Sequence, residues 1–558
     1  MKTLCVVCLV IVAAAVLGAE EAPSSPARSV VYARSGMVAA AHPLAVAAGI
    51  EVLRKGGSAV DAAIAVNAAL GVVEPVGCGI GGDLMALVWD PKTARLHGLN
   101  GSGRAPAALT IDKVPKEKDG TIPLRSPYAW TVPGAVDGWA TLHAKFGRLP
   151  LADVLAPAIA LARDGAPVPR VIAGAWARGR TIFGDKPGFA EVFLPQGAAP
   201  REGEVFKNPA LARTYEAIAR GGRDAYYKGS IASAIVAYSR AHGGFFAPED
   251  LAGHRSTWVE PASTTYRGVE VFELPPPGQG VIALEMLNLL EGYDLRAMGR
   301  GSAAFWHTLI EAKKLAFEDR AVHVADGETT WKGLLSKSYA KSRAAKIDPA
   351  RAAVEVDPGV PERGNDTTYL AVADGSGMMV SLIQSNYTGF GSGYAIPELG
   401  FGIHNRGAQF SLDPRHPNAL APGKRPFHTI IPAFATREGK PWLAFGVMGG
   451  DMQPQGHVQV LVNLLDFGMD LQAAGDAPRF HHGGSSEPTG TGMEKGGVVH
   501  LEPGVPEAVR QGLVALGHRV EDAPSSAYGG YQAVARHPVT GVLAGATEIR
   551  KDGCAMGW

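Results

Sequence analysis

Charge and cysteine are both scarce in this 558-residue chain. Only 19% of its residues are charged, and 53 basic against 53 acidic side chains leave a formal net charge of zero. No basic stripe invites nucleic acid, and no acidic tail argues for a scaffold. Of the four cysteines, Cys5 and Cys8 fall in an N-terminal leader, which leaves Cys78 and Cys554. Two thiols so far apart make neither a disulfide framework nor a zinc site. The histidines His404, His416, His428, His457, His481 and His482 lack the helical i, i+4 spacing or a CxxC partner, so they read as satisfied structural side chains. The sequence therefore calls for no metal and no cofactor. A GxSxG elbow is also missing, which removes support for an α/β-hydrolase serine nucleophile. No repeat of 20–50 residues is visible, which excludes a solenoid.

What is present starts with the leader. The stretch "MKTLCVVCLVIVAAAVLGAEEAP" has one lysine, an apolar run from Leu4 to Leu17 and small residues at its exit. That is the pattern of a Sec-type signal peptide over residues 1–19, cut near Gly18 to Glu20. The expected location is periplasmic or secreted, with no membrane attachment after removal. An uncleaved anchor is the other reading, but the run is short of the ~20 residues a bilayer needs.

Abundant glycine (71 residues) and alanine suit a closely packed, turn-rich enzyme. "PLAVAAGIEVLRKGGSAVDAAIAVNAALGVV" has helical spacing, and "LMALVWD" reads as a strand after it. Residues of about 130–240 are mostly helical. "GVEVFELPPPGQG" gives a strand ending in three prolines, then the helix "IALEMLNLLEGYDL". From Thr367 the texture changes to short strands with glycine turns: "TTYLAVAD", "MMVSLIQSN", "TIIPAFAT", "KPWLAFGVM" and "YQAVARHPVTGVLAGAT". The join "KIDPARAAVEVDPGVPERGND" is rich in Pro, Gly and charge, as an exposed, cleavable connection would be. The chain thus divides into a helix-rich part, 20–366, and a sheet-rich part, 367–558.

Gly77, Gly79 and Gly82 formally match GxGxxG. A dinucleotide site needs that motif after a strand and before a helix. Here the order is inverted, so a close-packed turn is the better reading. More chemistry is implied by "DTTYLAVADGSGMMVSLIQSNY". Gly375-Ser376-Gly377 joins two strands as a hairpin. If Asp374 pairs with Met378, Ala371 faces Ser381 and Thr367 faces Ser385, on one side of the sheet. Thr368 points the other way with Leu370 and Val372. A threonine hydroxyl is a weak nucleophile without a base. A cut between Asp366 and Thr367 would supply one, because a free α-amine titrates near 7.7–8.0. Gly449-Gly450, after the strand "WLAFGVM", is a candidate oxyanion hole. A glycine pair after a strand is also an ordinary turn, and spacing alone leaves both readings open.

In number and order, several segments make the chain resemble the γ-glutamyltransferase (γ-glutamyl transpeptidase) family of N-terminal-nucleophile hydrolases. They include "GGSAVDAAIAVNAALGVVEP", "GIGGDLMALVWD", "TVPGAVDGWATLHAKFGRLPL", "ELPPPGQGVIALEMLNLLEGYD", "DTTYLAVADGSG", "GKRPFHTIIPAF" and "MGGDMQPQ". The resemblance implies an α+β fold, a four-layer αββα sandwich, in a precursor that cuts itself before Thr367. It implies a heterodimer of the two fragments, alone or further assembled. Thr367 would attack γ-glutamyl amides such as glutathione, with Ser385 assisting and Gly449 and Gly450 at the oxyanion hole. The other doublet, Thr264-Thr265, matches nothing catalytic.

The chain also departs from the family pattern. The arginine expected before "AP" in "NGSGRAP" is Ser102, with Arg104 two residues later, and a serine pair after "KRP" is His428-Thr429. Where the family grips an α-amino group with Asn, Gln and Asp, this chain has Tyr387, Arg406 and Gln409. An ammonium prefers acceptors, and an arginine offers none. The loop from Phe410 to Lys424 is shorter than the family's lid, which should favour water over transfer. These changes resemble the lidless, acylase-like branch, so a glutaryl- or cephalosporin-type acylase stands beside the γ-glutamyl hydrolase. Arg104 is a candidate replacement carboxylate ligand. An exported binding protein with the same fold and no activity is the reading from another class. The triplets at Asn100, Asn365 and Asn386 read as chance matches to glycosylation signals.

Overall fold

The structure, a computed structural model, describes residues 28–327, 329–357 and 368–558. The leader, Asn365, the expected cleavage pair Asp366–Thr367 and the end of the join lie outside the described residues.

Two seven-stranded antiparallel sheets stack face to face. In the first the strand order is Cys554–Gly557, Gly36–Ala40, Thr368–Asp374, Met379–Ser385, Asp83–Asp90, Arg95–Gly101 and Thr257–Val259. In the second it is Val31–Ala33, Leu543–Thr547, Gly530–Arg536, Lys440–Met448, Ala433–Arg437, Val269–Glu273 and Ala262–Tyr266. Strand side chains alternate between faces, so each sheet needs two apolar neighbours. Tyr369, Ala371, Ala373, Met379, Ile383, Phe434 and Ala444 fill the layer between the sheets. On the outer side of the first sheet, Leu370, Val372, Val380 and Leu382 pack with the helices Pro43–Arg54 and Ala59–Val73. On the outer side of the second, Val271, Phe445, Val447 and Ala533 pack with Gly280–Leu290, Ala303–His323 and Met452–Leu465. The result is the αββα sandwich.

All fifteen residues of Ala59–Val73 are buried. Its alanines let the neighbouring helix come so close that a Cβ on Gly49 would sit 2.5 Å from Val66. Ser58 and Asp61 close its first turn with reciprocal hydrogen bonds of 3.0 and 2.9 Å, satisfying donors that a buried helix end cannot leave to water.

Residues before about 340 hold most of the helices and those after 367 hold more strand than helix, yet the helix-rich part also contributes to the sheets. Seven of the fourteen strands come from residues before 340, because strands from both halves are zipped into each sheet. Of these, Gly36–Ala40 is short and buried throughout, so it carries no alternation to read. The described part of the join, residues 346–357, is mostly exposed but pinned: Ala352 N–H donates to the Leu516 carbonyl at 2.7 Å, and Lys314 Nζ to the Ala353 carbonyl at 2.7 Å. Among the described residues, no helix is long and apolar enough to cross a membrane.

Candidate active site

The hairpin lies at the centre of the first sheet. Its register pairs Ala371 with Ser381 and Thr368 with Gln384. Thr368 is buried on the helix side, where a Cβ on Gly77 would stand 2.4 Å from its Oγ1. It is therefore strand filler. Ser385 ends its strand opposite Asp83, on the parity of Ser381 and Ile383 that faces the second sheet. The glycine-rich turn packs against this end of the strand, and a Cβ on Gly82 would meet the Ser385 carbonyl at 2.4 Å. That is a close-packed turn rather than a phosphate cradle. Ser385 Oγ accepts the Tyr387 N–H at 2.8 Å. Tyr387 itself holds φ at +76°, which costs a non-glycine residue about 1–3 kcal/mol unless its surroundings fix it.

From the second sheet, Lys440–Met448 delivers Gly449 and Gly450 at φ +121° and +60° before the helix Met452–Leu465. Neither angle suits an L side chain, the first least of all. Backbone N–H groups at such a turn, ahead of a helix N-terminus, are suited to a developing oxyanion. The Gly450 carbonyl accepts from Gln279 Nε2 at 2.9 Å, and the same amide nitrogen donates to the Thr429 carbonyl at 2.9 Å. Arg320 donates to Gln279 Oε1 and, at 3.0 Å, to Asp451. With its oxygen on a guanidinium and its nitrogen on two carbonyls, the amide has one satisfied orientation.

Four of the expected binding residues come together. Arg406 Nη1 donates to Thr429 Oγ1 at 2.7 Å, and its guanidinium lies 4.5 Å from the Tyr387 ring centre. Gln409 Nε2 donates to Tyr387 Oη at 2.7 Å. Arg406 is fully buried, yet among the described residues its Nε and Nη2 have no hydrogen-bond acceptor and Gln409 Oε1 has no donor. Unpaired buried polar groups cost about 1–3 kcal/mol each, more when charged. Burial pushes Arg406 down to about 10, still protonated at neutral pH.

His428 reaches the site through Asp83, donating from Nε2 at 2.9 Å. Burial, then the Arg406 charge, pushes His428 down to about 3, so it is the neutral ring that donates. Burial alone would raise Asp83, but His404, His428 and Arg406 outweigh it and hold the carboxyl well below its usual range. Its other oxygen accepts the Gly103 N–H at 2.8 Å. His404 lies 3.5 Å from Asp83 and 2.8 Å from the Thr131 carbonyl. His428 is satisfied at both ring nitrogens, whereas the buried Nδ1 of His404 has no hydrogen-bond partner among the described residues, so the expectation of a satisfied ring holds for His428 alone.

Arg104 stands apart. Its side chain is half-exposed, donates to the Gly423 carbonyl at 3.0 Å and lies 3.9 Å from Asp326. Arg425 takes the inner position, donating to the Ser102 carbonyl at 3.0 Å. Asn100 and Asn386 are buried, which agrees with chance glycosylation matches. Sequence reasoning missed Asp83, Gln279 and Arg320. "GGD" after the glycine turn and "PPPGQG" were the available signals, but each also reads as a turn.

Comparison with known proteins places this geometry. The gamma-glutamyltranspeptidase family model matches residues 45–558. A glutathione hydrolase-like proenzyme of Bacillus subtilis (strain 168) is 38% identical, over 93% of this chain and 98% of that protein. An acylase proenzyme of Pseudomonas sp. (strain SE83) is 37% identical, over 96% and 94%. The crystal structure of a cephalosporin acylase from Bacillus halodurans is 44% identical and superposes with a TM-score of 0.88, covering 97% of this chain and 98% of that one. The chain belongs to the gamma-glutamyltranspeptidase family, as an N-terminal-nucleophile-fold amidohydrolase similar to both its glutathione hydrolase-like and its acylase members.

Proposed function

We propose that the protein is an exported precursor that cuts itself between Asp366 and Thr367 and then hydrolyses amides of carboxylate-bearing acyl groups through Thr367. The observation that carries this is the hairpin register. Thr368 pairs with Gln384, so a register continued by one residue would set Thr367 opposite Ser385. In self-cleavage the Thr367 hydroxyl attacks the Asp366 carbonyl and the Thr367 nitrogen leaves as an amine. Water then splits the ester, freeing Asp366 as a carboxylate. In turnover that amine takes the hydroxyl proton while Oγ attacks the substrate carbonyl. Gly449 and Gly450 N–H groups hold the oxyanion, the leaving amine departs with the proton, and water resolves the acyl ester. The short Phe410–Lys424 loop supports hydrolysis over transfer.

Two acyl classes fit this chemistry, γ-glutamyl and glutaryl-type, and the names of the relatives support each. A denaturing gel tests the mechanism. The wild-type protein should resolve into two fragments, the smaller spanning residues 367–558, and release aniline from such anilides. Thr367→Ala should remain one chain and release none. A wild-type protein that stays whole would refute the reading.

A further inference from the structure

We infer that Arg406 is the acyl-carboxylate receptor of the site, which makes the preferred substrates half-amides of dicarboxylic acids that carry no α-ammonium group. This rests on the amidohydrolase reading above and specifies its substrate.

The argument starts from which edge of the guanidinium is open. Nη1 is engaged by Thr429 Oγ1, and Nε and Nη2 are the two donors without an acceptor among the described residues. Those two N–H groups form one edge, the fork that takes a carboxylate in two parallel hydrogen bonds. The same edge is filled elsewhere in this chain. Buried Arg343 holds Asp319 through Nε at 3.0 Å and Nη2 at 2.7 Å. Arg550 holds Glu502 through the same two nitrogens, each at 2.6 Å. Of these three buried forks, the one at Arg406 is empty, and it lies at the site.

The surroundings keep the fork aimed and charged. Thr429 fixes one end of the guanidinium and the Tyr387 ring covers its face. Asp83 lies close enough to favour the cation, but its oxygens are occupied by Gly103 N–H and His428 Nε2–H. It therefore does not close the fork. The Thr429 carbonyl shares Gln279 Nε2 with Gly450, so the receptor is tied to the oxyanion turn through a single amide. An acyl carboxylate on Arg406 is thereby set at a fixed place relative to the carbonyl under attack. An α-ammonium at this position would face a buried cation, and the nearby unpaired acceptor, Gln409 Oε1, is neutral.

The test compares nitroanilides of glutaric, succinic, butyric and γ-glutamic acids on self-cleaved protein. The glutaryl or succinyl half-amide should have a kcat/KM above those of both the γ-glutamyl and the butyryl compound by about 10- to 100-fold, the effect of a charge-assisted bond pair. Arg406→Gln should raise KM for the half-amides by a similar factor, and its self-cleavage reports whether the fold survives. Where that variant does not fold, the wild-type series decides alone. A γ-glutamyl compound cut faster than the half-amides by self-cleaved protein overturns this inference and leaves the amidohydrolase intact. So does a butyryl compound cut equally well. Absence of self-cleavage overturns the amidohydrolase reading instead.

Discussion

Gly449 concentrates the site's dependence on single residues. At φ +121° it is outside every region open to L residues, and an added Cβ would lie 3.1 Å from Gly529 Cα. Gly449→Ala can only be accommodated by rotating the turn, which moves the N–H groups that face the oxyanion. We expect kcat to fall about 10²- to 10³-fold, read from anilide release, with the hairpin and both sheets intact by circular dichroism. A fall of less than about threefold would remove this turn from the oxyanion site. The same scale shows what the sequence could not convey. Asp83 is an acid at a strand end, an ordinary boundary residue until folding brings His428 and His404 to it from the far side of the chain. Arg406 was legible as a misfit at an amine-reading position. That its open edge is the carboxylate fork depends on Thr429, and only the fold shows it. Arg104 looked equally suitable and is turned outward.

Among the elements, the segment Pro275–Gly280 does more than link a strand to a helix. It runs beside His428, with hydrogen bonds from His428 N–H to the Pro277 carbonyl at 2.8 Å and from Gln279 N–H to the His428 carbonyl at 3.0 Å. Gln279 then bridges the acyl side and the oxyanion side. Gln279→Leu keeps the bulk and removes the donors, leaving two buried carbonyls and Arg320 short of a partner. Self-cleavage rate and kcat should fall together, by about 10- to 100-fold, as followed by timed gels and anilide release. A change in KM alone would contradict this positioning role. The hairpin was the most legible element, because a three-residue loop and alternating pattern fix its register without distant contacts. Gly36–Ala40 was hidden, since it is buried throughout and its strand character comes from partners contributed by other parts of the chain.

The whole molecule keeps many histidines neutral by burial. His428, His457 and His518 are pushed down to about 3, and His42, His254 and His481 to about 4, with burial the leading cause for each. In the unfolded chain each takes a proton near pH 6.5. Between about pH 6.5 and these lowered values the unfolded state therefore binds more protons, so stability rises with pH there. These contributions are complete above about pH 6.5 and are lost as pH falls toward 4 and 3. A thermal melt series should show Tm level near pH 7 to 8 and dropping steadily from pH 6.5 to 4. A flat profile would contradict the buried neutral rings.

Whether Thr367 carries the acyl group is best tested by trapping the intermediate. The wild-type protein is mixed with glutaryl and γ-glutamyl nitroanilides, quenched in acid within one turnover, and its peptides mapped by mass. The account predicts an acyl ester on a peptide that begins at Thr367. An adduct on Ser385, or turnover by a chain still joined at Asp366–Thr367, would contradict it.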